Sequence, residues 1–185
     1  MDGIRIYFIL KIEIKKLNVH ILNGEDNYNL IFLSILTVLY NFDENWEFKI
    51  VKSLKGKPDI YCIKKIKLVQ ILLKIHILNG NNNFQSFLFQ SRTVLHETNN
   101  NWNFKIGYYN RNRRPNIYCI YKKNTYSKYT EIYILNGDDN YQSSSKIITS
   151  LHETVINWAF LLRDYNNDGK LDLYCIIKNG ENIKF

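Results

Sequence analysis

The chain has 185 residues, 45% of them hydrophobic and 15% aromatic, which excludes a disordered segment and allows a sizeable core. Two prolines and eight glycines exclude a collagen-like or linker sequence, and no apolar run approaches the roughly 20 residues that span a bilayer. The net charge of +8 would suit an acidic partner, but the lysines are spread along the chain, as a general bias toward Ile, Lys, Asn and Tyr would spread them. No nucleic-acid partner is therefore expected.

Taken from the start, the stretch Met1 to Leu10 carries an early acid, and its apolar run is broken by Lys11, Glu13, Lys15 and Lys16, which is not a signal-peptide pattern. If the chain is complete, this places it in the cytoplasm. Asp2-Gly3 to Tyr7-Phe8 reads as the tail of a loop and a second strand of a repeated unit. The unit becomes visible at Ile21-Leu22-Asn23-Gly24. Ile-Leu-Asn-Gly begins again at Ile77 and Ile134, tryptophans stand 56 residues apart at Trp46, Trp102 and Trp158, and Tyr-Cys pairs follow at Tyr61-Cys62, Tyr118-Cys119 and Tyr174-Cys175. Val94-Leu95-His96-Glu97-Thr98 is echoed by Ser150-Leu151-His152-Glu153-Thr154. One thiol per unit, without any C-x-x-C, fits a small buried strand residue better than a disulfide framework or a metal site.

Each unit reads as four strands. Trp102 to Gly107 alternates in period two and forms the first. Ile117 to Tyr121 is a near-continuous apolar run, as in a strand covered on both faces. Glu131 to Leu135 is the third, closed by the turn signal Asn136-Gly137. The fourth ends near His152-Glu153-Thr154. Lys65 to Ile75 could mimic a helix, but the period makes it the third strand of its unit with the preceding loop. Four-stranded units of this length are the signature of β-propeller blades, which cannot bury both faces alone and must stack. The expected fold is all-β, a partial propeller of about three and a half blades. It comprises a partial blade over 1–45 (strands two to four), blades over 46–101 and 102–157, and a partial blade over 158–185 (strands one and two). That is too few to close a ring, so the chain is expected to be part of a longer protein or to self-associate as a homo-oligomer of about seven blades, because an open blade edge is a pairing hazard.

The last unit contains Asp164-Tyr165-Asn166-Asn167-Asp168-Gly169-Lys170-Leu171-Asp172. Oxygen side chains fall at loop positions one, three, five and nine, with glycine at the sharp turn and the Lys170 carbonyl as a backbone donor. Calcium takes six to eight such oxygens, so Asp164, Asn166, Asp168, Lys170 and Asp172 form a candidate calcium site; the alternative is a turn held by Asx-type hydrogen bonds. The matching positions of the middle unit, Tyr108, Asn110, Asn112 and Asn116, hold no carboxylate, and the first loop keeps only Gly56 and Asp59, so one calcium at most is expected.

Together, Trp-x-Phe, the Asp164–Asp172 loop running into Leu173-Tyr174, Ile-Leu-Asn-Gly-x-x-Asn-Tyr-Gln-Ser and Leu-His-Glu-Thr resemble the FG-GAP or VCBS repeats of integrin α-subunit propellers and of propeller lectins. The resemblance covers nearly the whole chain and implies an extracellular protein with structural calcium and a glycan or protein ligand on the propeller surface.

His96-Glu97 and His152-Glu153 lack the His-Glu-x-x-His spacing of a zinc site and recur once per unit, which suggests strand ends bonded to a neighbouring blade or a polar wall of a sugar pocket. Trp102 beside Asn99 to Asn101, or Asn136 beside Asp138, Asp139 and Asn140, would serve a sugar if exposed. Lys64-Lys65-Ile66-Lys67 and Arg111 to Arg114 read as solvated loops. No phosphate loop, nucleophile elbow or Ser-His-Asp set is present, so a non-catalytic module is expected. Three roles follow: a lectin-like or adhesion-like binding module, a structural or protein-interaction propeller without its own ligand, and an ancillary domain of a larger secreted hydrolase.

Overall fold

The computed structural model describes residues 15–52, 56–65, 72–96, 98–108 and 114–178. These residues hold twelve β-strands and two short 3-10 turns, and none of their helices is long and apolar enough to cross a membrane. Strands β1 (Lys16–Leu22) and β2 (Ile31–Tyr40) form a two-stranded sheet. Strands β3 (Trp46–Val51), β4 (Asp59–Lys64), β5 (Leu72–Leu78) and β6 (Phe87–His96) form a four-stranded sheet in chain order. Strands β7 (Trp102–Gly107), β8 (Asn116–Tyr121), β9 (Tyr129–Leu135) and β10 (Ser144–His152) form a second, and β11 (Trp158–Arg163) with β12 (Asp172–Ile177) make a final pair. Every pairing is antiparallel. The all-β expectation holds, and each tryptophan of the 56-residue period opens the first strand of a sheet. The strand expected near Tyr7-Phe8 lies outside the described residues, as do residues 66–71.

Alternation within the strands explains why the sheets stack. In β4, Ile60 and Cys62 point toward the β1–β2 sheet and pack with Leu39, Leu78 and Phe84. Tyr61 and Ile63 point the other way and pack with Trp102, Phe104, Ile117 and Cys119 of the next sheet. The pattern repeats one sheet later, where Tyr118 and Ile120 meet Phe160. Each hydrophobic cluster thus lies between two sheets, and β4 and β8 are buried along almost their whole length, as their apolar runs predict. The thiols Cys62 and Cys119 are fully buried and free, and burial pushes the Cys62 thiol up to about 12.

The turn after each third strand is the device that joins neighbouring sheets. Asn23, Asn79 and Asn136 each accept, through Oδ1, the N–H two residues on. The left-handed backbone falls at Asn27-Tyr28, Asn83-Phe84 and Asn140-Tyr141, not at the glycines. The glycine of Asn-Gly serves close approach instead: a Cβ on Gly80 or Gly137 would overlap the Pro58 or Pro115 carbonyl oxygen. The aromatic that ends the turn wedges against the preceding sheet. The Val38 N–H donates to the Phe84 carbonyl at 3.2 Å, and the Val94 N–H to the Tyr141 carbonyl at 3.4 Å. Gln85 and Gln142 then donate from Nε2 to the Leu36 and Arg92 carbonyls at 2.8 and 2.9 Å.

Candidate functional site

The first strands of three successive sheets, β3, β7 and β11, converge at their C-terminal ends around an open cavity of ≈ 630 Å³. Its charged lining is Lys49, Lys52, Lys105 and Arg163, and no acid lines it among the described residues. Tyr108 Oη donates to the Lys52 carbonyl at 3.4 Å and ties two of the sheets together at the rim. Gly107 leaves room there for Leu171 Cδ1, which would have to move aside for a Cβ. Lys49 is spoken for by Glu47, at 2.7 Å. Lys105 has no ion-pair partner among the described residues. Burial lowers its pKa below the ordinary lysine value and the charge of Lys49 adds to this, with Glu47 opposing. A half-buried cation facing an open cavity is suited to receiving a negative group from solution.

The Asp164–Asp172 loop lies at the head of β12. Its carboxylates are engaged with the loop's own amides. Gly169 N–H donates to Asp164 Oδ2 at 2.8 Å, Tyr165 N–H to Asp172 Oδ2 at 2.7 Å, and Lys170 N–H to Asp168 Oδ1 at 2.8 Å. Asn166 Nδ2 donates to Asp168 Oδ2 and Asp168 N–H to Asn166 Oδ1, both at 3.2 Å. The Lys170 N–H and the Asn166 amide hold the Asp168 carboxyl below its ordinary value. Gly169 has φ 85°, the sharp turn expected of it. The donors are hard oxygens on one exposed turn, which suits calcium in kind. Among the described residues, however, no three His, Cys, Asp or Glu side chains gather as a metal-holding group.

The remaining candidates are dispersed. Trp102 is only 6% exposed, stacked on Tyr121 at 4.4 Å, so it does not offer the open face that a sugar needs. His152 stacks on Tyr129 of its own sheet at 4.7 Å, while Glu153 accepts from the Thr125 N–H at 2.7 Å. His96 is exposed at the end of β6 opposite Leu72, and Glu97 lies outside the described residues. Asn136 Oδ1 accepts from the Asp138 N–H at 3.1 Å, which engages the Asn136 side chain in the turn. These residues do not form one pocket with the cavity lining. Of the basic clusters, Lys65 pairs with Glu47 at 2.8 Å, and Arg114 donates to Asn140 and covers Phe89 at 4.7 Å.

The cavity cations were not apparent from the sequence as a group. Lys49 and Lys105 stand three residues after their tryptophans, so the period carried a signal, but their meeting depends on how successive sheets stack. No family model, curated protein or solved structure matches this chain.

Proposed function

We propose that the chain is a non-catalytic binding module, an arc of a β-propeller whose first strands line an axial cavity that takes an anionic saccharide. The observation that carries this reading is the cavity lining: four cations, one of them half-buried without an acid partner, and no carboxylate among the described residues. The propeller reading is supported by sheets that follow one another in chain order, each sharing a hydrophobic cluster with the next. The saccharide class rests on the likeness to propeller lectins, and the negative charge on the lining.

The test is titration calorimetry with a sulfated or uronic tetrasaccharide, its neutral counterpart and an oligonucleotide of equal charge. The expected result is binding of the acidic sugar, weakened by salt and reduced about tenfold in Lys105→Ala, the equivalent of about 1.4 kcal/mol. Equal binding of the neutral sugar, tighter binding of the oligonucleotide, or no binding at all would overturn the reading. We also propose that the Asp164–Asp172 loop holds one structural calcium, since its oxygen donors and the Gly169 turn fit that ion.

A further inference from the structure

At the seam between the two complete sheets, one carboxylate is held by two lysines. Glu47 of β3 accepts from Lys49 Nζ through Oε1 at 2.7 Å and from Lys65 Nζ through Oε2 at 2.8 Å. Its side chain is 19% exposed, so the two ammonium groups grip a sheltered oxyanion. Lys65 Nζ lies 5.8 Å from the centre of the Phe104 ring, which sets the group against the following sheet. The backbone repeats this place one sheet later. Trp46 opposes Lys64 and Trp102 opposes Tyr121, and the N–H groups of Lys65 and Lys122 each donate at 2.9 Å, to the Asn45 and Asn101 carbonyls. Asn103 therefore stands where Glu47 stands, Lys105 where Lys49 does, and Lys122 where Lys65 does. Both cations are kept and the carboxylate is gone. Among the described residues nothing replaces it. Neither lysine has an ion-pair partner, and Asn103 Oδ1 is buried without a hydrogen-bond partner, a condition that calls for solvent or a ligand. The face that β11 and β12 turn toward this place is apolar, with Trp158, Phe160, Leu162 and Cys175.

We propose that Lys105, Lys122 and Asn103 anchor the ligand of the cavity, one carboxylate or sulfate group of which takes the place that Glu47 fills in the repeat before. The proposal deepens the cavity reading and rests on it for the identity of the ligand; the anion site itself does not require a sugar. Lys105 lines the cavity and Lys122 does not, so the acidic group passes from the open space toward the seam. Burial lowers the pKa of Lys105 and Lys122 below the ordinary lysine value, the charges of Lys49 and Lys65 respectively add to this, and Glu47 opposes it. A bound anion favours the charged form of both. Asparagine suits the exchange, because its Nδ2 donates to an oxyanion where a carboxylate would repel it. Glu47 in turn keeps the first seam closed to ligand by filling it from within. In the third repeat the places of Glu47 and Lys49 hold Ala159 and Leu161, so the repeats leave one such anchor.

The experiment compares Lys122→Met with Lys123→Met, which remove the same charge one residue apart, Lys123 being exposed. Inorganic sulfate is the first probe, read by thermal melts against chloride at equal ionic strength. The general stabilisation that sulfate gives any protein is common to all variants and cancels between them. The wild type and Lys123→Met are expected to gain more in melting temperature from sulfate than Lys122→Met does. The sulfated tetrasaccharide is the second probe, and its binding is expected to weaken about tenfold in Lys122→Met alone. Asn103→Glu is expected to melt above the wild type without sulfate and to lose the added sulfate response, whereas Glu47→Asn melts below it and gains a steeper response. Equal sulfate responses of Lys122→Met and Lys123→Met, or a full response in Asn103→Glu, overturn the inference. If Lys122→Met does not fold, Asn103→Glu decides. A wild type that shows the added sulfate response but binds no tetrasaccharide faults only the ligand reading. Tetrasaccharide binding that is undiminished in both Lys122→Met and Asn103→Glu faults only this one.

Discussion

Glu131 illustrates how a single side chain is held in this architecture. The residue is 1% exposed, yet its carboxylate accepts from Ser127 and Tyr133 hydroxyls at 2.8 and 2.9 Å and pairs with Lys146 at 2.9 Å. Burial alone would raise its pKa, but the hydrogen bonds from Lys146, Ser127 and Tyr133 outweigh it and hold the group below its ordinary value of 4.5. Glu47, between Lys49 and Lys65, is lowered in the same way. A carboxyl depressed in the folded state stabilises fully above its ordinary value and loses that contribution as pH falls through the depressed one. The melting temperature should therefore fall as the pH drops below 4.5, with a shallower slope in Glu131→Gln. That variant should also lose about 1–3 kcal/mol at neutral pH, because the Ser127 and Tyr133 donors lose a charged acceptor. Thermal melts from neutral to acid pH check both outcomes, and parallel slopes for the two proteins would remove Glu131 from the account.

At the level of elements, the loop before β12 is the calcium candidate. The prediction is a rise in melting temperature at millimolar calcium that magnesium does not match and that Asp168→Ala abolishes. An unchanged melt would leave the loop as the Asx-bonded turn its present hydrogen bonds describe. The strands around it were largely legible in the sequence. Trp102 to Gly107 and Ile117 to Tyr121 could be read because alternation and a repeated register both fix them. The turn was legible at Asn136-Gly137, but its working was not. Sequence rules put the unusual backbone on glycine, whereas here it falls on Asn140 and Tyr141, which the preceding sheet holds in place through Val94. The sugar-facing role considered for Trp102 failed to survive for a related reason. Its neighbours Tyr121 and Tyr133 are known only once β7, β8 and β9 are side by side. Lys105 and Arg163 likewise meet only through stacking, so no local window of sequence groups them.

For the molecule as a whole, the decisive feature is that its cores lie between sheets. Separating β7–β12 from the rest would uncover Trp102, Phe104, Ile117, Cys119, Leu135 and Tyr141 together. At about 1.5–3 kcal/mol for a fully buried large apolar side chain, that loss rivals the about 5–15 kcal/mol by which a domain is stable. A fragment of residues 102–178 should therefore show no sharp thermal transition and should bind a dye specific for exposed apolar surface, while the full chain melts cooperatively. A sharply melting fragment would show that the one cluster it keeps, between β7–β10 and β11–β12, suffices without the seam to β3–β6. The shared cores have a further consequence for growth of the chain. Ile60 and Cys62 of one sheet, and Ile117 and Cys119 of the next, present the same positions to the neighbour before them. The seams are therefore interchangeable, and whole repeats can be gained or lost by duplication or excision without any new contact having to be invented, whereas a cut inside a repeat strands one side of a seam.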